Sequence, residues 1–252
     1  MRILVTCKIV PDDQDVQVAG DGSLDFSRAH QVVSTYDLNA IEAAAQLAAA
    51  NEGSYLAALS AGSSKIDDSK TKKNILARGV DELFMACDER CADMDAHATA
   101  AVLADLAQQA GPWDLIVCGD GSADNYAQQV DVQLAAILGV PVVNGAVSLS
   151  VEGGALKVER VLEDVVEVVE VPLPAVVSVS PDIAVPRIAG MKDILAAGKK
   201  PMHVDAAADV PSNVVETVEC KAPEQKPRRQ EILDASQDGA LEAFAAALKA
   251  AL

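Results

Sequence analysis

Short continuous apolar runs alternate along the chain with longer stretches in which apolar residues recur every three or four positions, and this alternation predicts the elements. Residues 2–6 (RILVT) are apolar and β-branched and read as a first strand, followed by Pro11 and a polar excursion to Ser34 with turn signals at Gly20-Asp21-Gly22. Asp37 reads as the cap of a helix on which Leu38, Ile41, Ala45, Ala48 and Ala49 share a face and which Gly53 ends. The pattern continues with a strand over 55–59, a helix over 68–77, a strand over 82–86 and a helix opened by Asp95 with Thr99, Val102, Leu103, Leu106 and Ala110 on one face. A strand over 115–118 and a helix over 127–138 follow. Strands that are apolar throughout are buried on both faces, so the expected class is α/β, a doubly wound and mostly parallel sheet. After Pro141, strand-like runs at 146–151, 155–163, 165–171 and 175–179, the first two joined through Gly153-Gly154, are expected as antiparallel additions.

From Pro181 to about Gln237 large apolar residues are sparse, so this segment buries little surface alone and is expected to lean on something else. A last helix carries a stripe of Leu241, Phe244, Ala245, Leu248 and Leu252. The division expected is an α/β domain over 1–180 and an extended C-terminal arm over 181–252.

Composition narrows the function. With 38 acidic and 20 basic residues the net charge is −18, which offers no field for nucleic acid or an anionic membrane surface. Apolar runs break before the roughly 20 residues a membrane span needs, and the N-terminus reads as a charged strand, so a soluble cytoplasmic protein without membrane insertion is expected. Five scattered cysteines do not make a disulfide framework, and Cys87-x3-Cys91 with His97 lacks a second ligand pair for a metal. His30, His97 and His203 stand in unrelated contexts with no nucleophile-elbow sequence, and the paired carboxylates read as solvated turns. No catalytic residue is assigned.

The sharpest chemical signal is the loop Cys118-Gly119-Asp120-Gly121-Ser122-Ala123-Asp124-Asn125-Tyr126-Ala127-Gln128-Gln129, set between a buried strand and a helix. In an open α/β sheet, ligands bind beyond the carboxyl ends of the strands. Glycines let backbone amides approach a phosphate, and a helix N-terminus adds partial positive charge. The loop is neither G-x-G-x-x-G nor a Walker sequence, and no Lys or Arg occurs from Cys91 to Leu156, so a phosphate here is expected on amides, Ser122 and Asn125. Gly121 is expected to be needed for close approach and a positive φ. Ser34-Thr35-Tyr36-Asp37, at a helix start, is placed to reach the same crevice or to act simply as a cap.

Six segments together resemble the beta subunit of electron-transfer flavoprotein: ILVTCKIVPD, YDLNAIEAA, CGDGSADNYAQQ, LKVERVLED, VPLPAVVSVSPDI and PRIAGMKDILAAGKKP, in order over residues 2–201. YDLNAIEAA and the loop look like the anaerobic branch associated with carnitine metabolism and nitrogen-fixation-type electron transfer. The resemblance implies a non-enzymatic electron carrier: a heterodimer with an alpha subunit that holds the electron-transferring FAD, with AMP or, in bifurcating members, a second FAD in this chain. It also implies acyl-CoA dehydrogenase or reductase partners. The nucleotide-contacting positions carry over to Thr6, Ser34 to Asp37, Ala61 and Gly119 to Val130. Where the family commonly has Thr-Gly this chain has Val130-Asp131, which is expected to set a carboxylate near the phosphate. The family's docking loop implies an apolar anchor at Met191, flanked by Arg187 and Lys192. A stand-alone nucleotide-binding regulatory domain is the alternative, against which the long tail counts. A ligase or hydrolase is disfavoured because phosphoryl chemistry needs a charge clamp.

Overall fold

The computed structural model describes residues 1–224 and 230–251. Thirteen strands and six helices are described: β1 Arg2–Thr6, β2 Ile9–Pro11, β3 Gln17–Val18, β4 Leu24–Asp25, β5 Gln31–Val33, α1 Thr35–Ala50, β6 Tyr55–Gly62, α2 Ser69–Leu76, β7 Glu82–Cys87, α3 Ala96–Gln109, β8 Leu115–Gly119, α4 Val130–Leu138, β9 Val142–Glu152, β10 Ala155–Val161, β11 Val166–Val171, β12 Ala175–Val179, α5 Met191–Ala197, β13 Met202–Asp205 and α6 Ala240–Ala251.

One nine-stranded sheet runs β11-β10-β9-β12-β8-β1-β6-β7-β13. Every pair from β9 to β13 is parallel, and β10 and β11 extend one edge antiparallel. Alternation along β1 explains the layering: Ile3 and Val5 enter a core with Ile41 and Leu47 of α1 and Ile75 and Leu76 of α2, while Leu4 faces Leu103 and Leu106 of α3 and Leu134 of α4. A doubly wound, mostly parallel sheet with antiparallel additions is therefore the fold. The chain runs outward from β1 through β6 to β7 and then returns to place β8 on the other side of β1. The switch point lies between the carboxyl ends of β1 and β8, where such sheets bind ligands.

Several local expectations are corrected. β12 is not an antiparallel addition, because it pairs parallel to both β8 and β9 and so sits inside the main sheet. β9 serves two ladders, parallel to β12 through Val142 to Ala146 and antiparallel to β10 from there to Glu152. The Gly153-Gly154 turn holds both residues at positive φ, 60° and 88°, as a two-residue hairpin demands. α1 starts at Thr35 with Ser34 at its N-cap, so Asp37 lies in the first turn and is not the cap. α4 starts at Val130, which leaves the preceding loop three residues longer than periodicity suggested. Asp95 caps its helix as expected, accepting the Ala98 N–H at 2.9 Å, and Asp68 caps the helix it precedes, accepting the Thr71 N–H at 2.8 Å.

The segment after 180 is partly built into the body. β13, which the sequence pattern did not signal, extends the sheet beside β7, and Ala207 is buried behind it. Asp95 accepts the Val214 and Val215 amides, and Ser23 bridges Lys221. α6, by contrast, has no buried residue, and Leu241, Phe244 and Leu248 are all exposed. Leu252, the last member of the expected stripe, and residues 225–229 of the expected arm lie outside the described residues. No helix among the described residues is long and apolar enough to cross a membrane.

Candidate functional site

Three chain segments meet at the switch point. β1 ends at Thr6, which is buried, and the chain turns through Cys7 and Lys8 into β2. β2 pairs with β5, Ile9 opposite Val33, and this ribbon returns Ser34 to the sheet directly before α1. The loop after β8 then folds onto the start of α1: Ala123 donates its N–H to the fully buried Ser34 hydroxyl at 3.2 Å. The Ser34–Asp37 segment and the 119–129 loop, 82 to 95 positions apart in sequence, thus form one crevice. Ala61 sits at the carboxyl end of β6, two residues beyond the rung that pairs Thr6 with Leu59.

Asp37 points inward. Its Oδ2 accepts the Lys8 N–H at 2.7 Å, and a Cβ at position 119 would come within 2.6 Å of its Oδ1, so glycine is required there by close approach. Burial pushes the Asp37 carboxyl up to about 7, against the pull of the Lys8 amide and the Ser34 hydroxyl. The Lys8 ammonium reaches Asp124 at 2.6 Å. Burial alone would raise the Asp124 carboxyl, but Lys8 and Ser122 hold it below its ordinary value. The loop therefore does carry a cation, contrary to the expectation from its own sequence. Lys8 lies 116 positions upstream of Asp124, so no local motif could have revealed it.

Gly121 is needed for a different reason from the one expected. It is absent from the positive-φ glycines, and a Cβ there would meet the Tyr126 ring at 2.4 Å. Tyr126 closes over the loop, with its ring centroid 4.8 Å from that of Tyr36 and its hydroxyl donating to Asp120 at 2.7 Å. That hydrogen bond pushes its phenol up to about 12. Gln128 also donates to Asp120, and both Tyr126 and Gln128 adopt positive φ, at 45° and 55°. The Asp131 carboxylate turns away from the loop and accepts the buried Ser178 hydroxyl of β12 at 2.5 Å, so it does not lie at the mouth as the sequence suggested. No side chain caps α4 at Gln129, which leaves its first amides available to an anion. Val130 opens that helix, and Asp120, Asn125 and Ala127 complete the loop.

The residues assigned to docking lie elsewhere, along the outer side of α1. Asn39 Nδ2 donates to the carbonyls of Pro181 at 3.0 Å and Ala184 at 2.7 Å, and Glu42 receives Arg187 through Nε at 2.6 Å and Nη2 at 3.0 Å. Burial alone would raise the Glu42 carboxyl, but Arg187 and Gln46 hold it below its ordinary value. Arg187 is thus anchored to its own chain, not a free charge for a partner. Met191 opens α5 with 76% of its surface exposed, next to exposed Lys192 and beside Ile188, which is 95% exposed. Each polar residue of Tyr36-Asp37-Leu38-Asn39-Ala40-Ile41-Glu42 now has a separate task on one helix, while Ala40 and Ile41 enter the core. Asn39 and Glu42 went unassigned in the sequence because their partners lie about 145 positions away.

The Electron transfer flavoprotein domain matches residues 22–210, three quarters of the chain. The chain belongs to the electron transfer flavoprotein family. Members of this family are electron carriers rather than enzymes and generally bind flavin. The match spans the Ser34–Asp37 segment, the 119–130 loop and the Met191 helix together.

A cavity of about 470 Å³ lies away from the crevice, between α1 and β9 and lined by Gln46, Leu47, Asn51 and Leu149. The crevice itself is a set of polar groups around a loop. The donors that could meet an anion there are the uncapped α4 amides, Ser122, Asn125 and the Lys8 ammonium, the last already paired with Asp124.

Proposed function

We propose that this chain is the beta subunit of a heterodimeric electron-transfer flavoprotein, binding an adenine nucleotide in the switch-point crevice and pairing with an alpha subunit that holds FAD. The convergence of Lys8, Ser34 and the 119–130 loop at the carboxyl ends of β1 and β8 is the observation that supports it most directly. Thr6, Ser34 to Asp37, Ala61 and Gly119 to Val130 enclose the nucleotide, with its phosphate on the α4 amides, Ser122, Asn125 and Lys8. The occupant is AMP or a second FAD. Bound flavin supplies the one- and two-electron chemistry, and this chain binds, orients and shields it.

Met191, carried on the loop that Asn39 and Glu42 pin, meets an acyl-CoA dehydrogenase or reductase, and Lys192 faces acidic groups on that partner. Arg187 serves by holding the loop in place. The domain division at 180, the anaerobic branch and a cytoplasmic location belong to the same reading. Reducing conditions suit five unpaired cysteines, of which Cys7, Cys91 and Cys118 are buried. A stand-alone nucleotide-binding regulator would share the crevice, but the exposed stripe of α6 favours a subunit.

Purifying the native complex and counting FAD and AMP released per heterodimer tests this. One adenine nucleotide per copy of this chain, in addition to the FAD of the alpha subunit, is expected; two FAD without AMP indicates bifurcation. A complex whose beta chain releases no adenine nucleotide overturns the assignment.

A further inference from the structure

Among the described residues three acidic side chains are buried: Asp37, Glu42 and Asp131. Glu42 has a guanidinium and Asp131 a serine hydroxyl. The hydrogen bond to the Asp37 side chain comes from the Lys8 backbone amide, while the Lys8 ammonium beside it goes to Asp124. A buried carboxylate is expensive to desolvate, and apolar replacements of such groups often pack at least as well. A buried carboxylate with so little compensation points to a role other than stability.

That role follows from what its two oxygens touch. Oδ2 holds the Lys8 amide at 2.7 Å, at the exit of β1. Oδ1 rests against Gly119 at the exit of β8, whose amide also faces the carboxylate. The carboxylate belongs to the first turn of α1, so one side chain ties together all three elements that frame the crevice. Both anchors of the 119–125 loop depend on the same junction: Lys8 carries its ammonium to Asp124, and Ser34, at the N-cap of α1, takes the Ala123 amide.

We propose that Asp37 is a positioning residue of the nucleotide crevice: without touching the nucleotide, its ionised carboxylate sets the spacing of the β1 and β8 exits and so the shape of the phosphate loop. This rests on the reading of the crevice as a nucleotide site. The groups facing Asp37 are the Cys7 thiol and the Lys8 amide and ammonium from the β1 exit, the Cys118 thiol and Gly119 amide from β8, and Ser34 at the head of its own helix. Burial pushes both thiols far up, so they stay protonated throughout the neutral range. Asp37, pushed up to about 7, changes charge within it.

The sign is definite. Ionised, the carboxylate accepts the Lys8 amide at Oδ2 while Oδ1 lies against Gly119; protonated, it gains a donor that faces these groups and loses an acceptor. The loop therefore loosens as pH falls through about 7. Folding runs the other way. A carboxyl raised above its ordinary 3.8 makes the folded chain take up a proton, so its contribution to stability declines as pH rises from near 4 to near 7. The form that shapes the site is the form that folding resists.

The test uses the full chain with AMP and, separately, FAD as ligands, comparing wild type with Asp37→Asn. Asparagine keeps an acceptor for Lys8 but has no charge to titrate. In wild type, the Lys8 and Gly119 amide resonances are expected to titrate together near neutrality, a measurement that needs no variant. AMP affinity of wild type relative to the variant should rise roughly tenfold from pH 6 to pH 8, following the ionised fraction. Taking the ratio removes the titration of the AMP phosphate itself. The variant should match or exceed wild-type thermal stability at pH 8, which a purely structural role would not produce. Absence of a shared titration at Lys8 and Gly119, or a pH-independent affinity ratio, overturns the proposal alone. Failure of wild type to bind either AMP or FAD at every pH overturns the nucleotide reading and this proposal with it.

Discussion

The switch-point crevice and the C-terminal quarter of the chain are organised in opposite ways. In the crevice, polar groups find partners within the chain: Asp37 with Lys8, Lys8 with Asp124, Ser34 with Ala123 and Tyr126 with Asp120. Beyond residue 184, large apolar side chains stand in water, with Ile188 95%, Leu241 72% and Phe244 57% exposed. The first region is shaped by the chain itself. The second carries apolar surface that a second molecule can cover, and its polar bonds, such as Glu42 to Arg187, serve to hold that surface out. The crevice is thus built of satisfied polar groups and the arm of exposed apolar ones.

The crevice is most vulnerable at Gly121. A valine there drives a Cβ into the Tyr126 ring, which stands 2.4 Å from that position, so the loop must open and the purified complex should lose essentially all nucleotide from this chain. Full nucleotide content in Gly121→Val would show that the loop does not form the site.

In the arm, changing Phe244 and Leu248 together to Asp should weaken association with the alpha subunit about a hundredfold, or ~3 kcal/mol. The isolated chain should melt unchanged, since both side chains are already exposed. A large drop in the melting temperature of the isolated chain would place α6 on the core instead.

Met191→Ala should slow electron transfer to the partner dehydrogenase about tenfold, the loss of roughly 1.4 kcal/mol at a contact. Bound nucleotide and melting temperature should stay the same. Stopped-flow reduction of the partner reads the rate.

The smallest effect is expected at the anchor. Glu42→Gln weakens the pairing to Arg187, whose side chain is 41% exposed, so solvent screening limits the loss to about 1 kcal/mol. Because the Glu42 carboxyl is held below its ordinary 4.5, this stabilisation is present above that pH and fades as pH falls through the lower folded value. Hydrogen exchange should quicken at 185–195 and remain unchanged in the crevice; equal quickening in both would mean that α1 transmits the change.

Much of this was written locally. Helical spacing and continuous apolar runs sufficed for the βα alternation, and side-chain caps at Asp68 and Asp95 marked helix starts closely, because both signals involve neighbours within a turn. Glycine, serine and asparagine between a buried strand and a helix were enough to single out the 119–129 loop. β13 was missed because four residues, Met202 to Asp205, with alternating exposure carry too little pattern to read as a strand. The parallel insertion of β12 was missed because an apolar run states that a strand is buried and says nothing of its direction.

What the sequence by itself determined is therefore the class of fold, the order of most elements, and the loop and helix start that the sheet brings together at its switch point. Only the tertiary structure decided that Lys8 supplies the loop with a cation, that Asp131 faces the core, that Gly121 makes room for Tyr126, and that Asp37, Asn39 and Glu42 on one helix serve a crevice and a protruding loop. The reason is physical. Propensity and periodicity act over a few residues, whereas ion pairs, close approaches and buried charges are fixed by segments that only the sheet brings together, across 29 positions for Asp37 with Lys8 and 145 for Glu42 with Arg187.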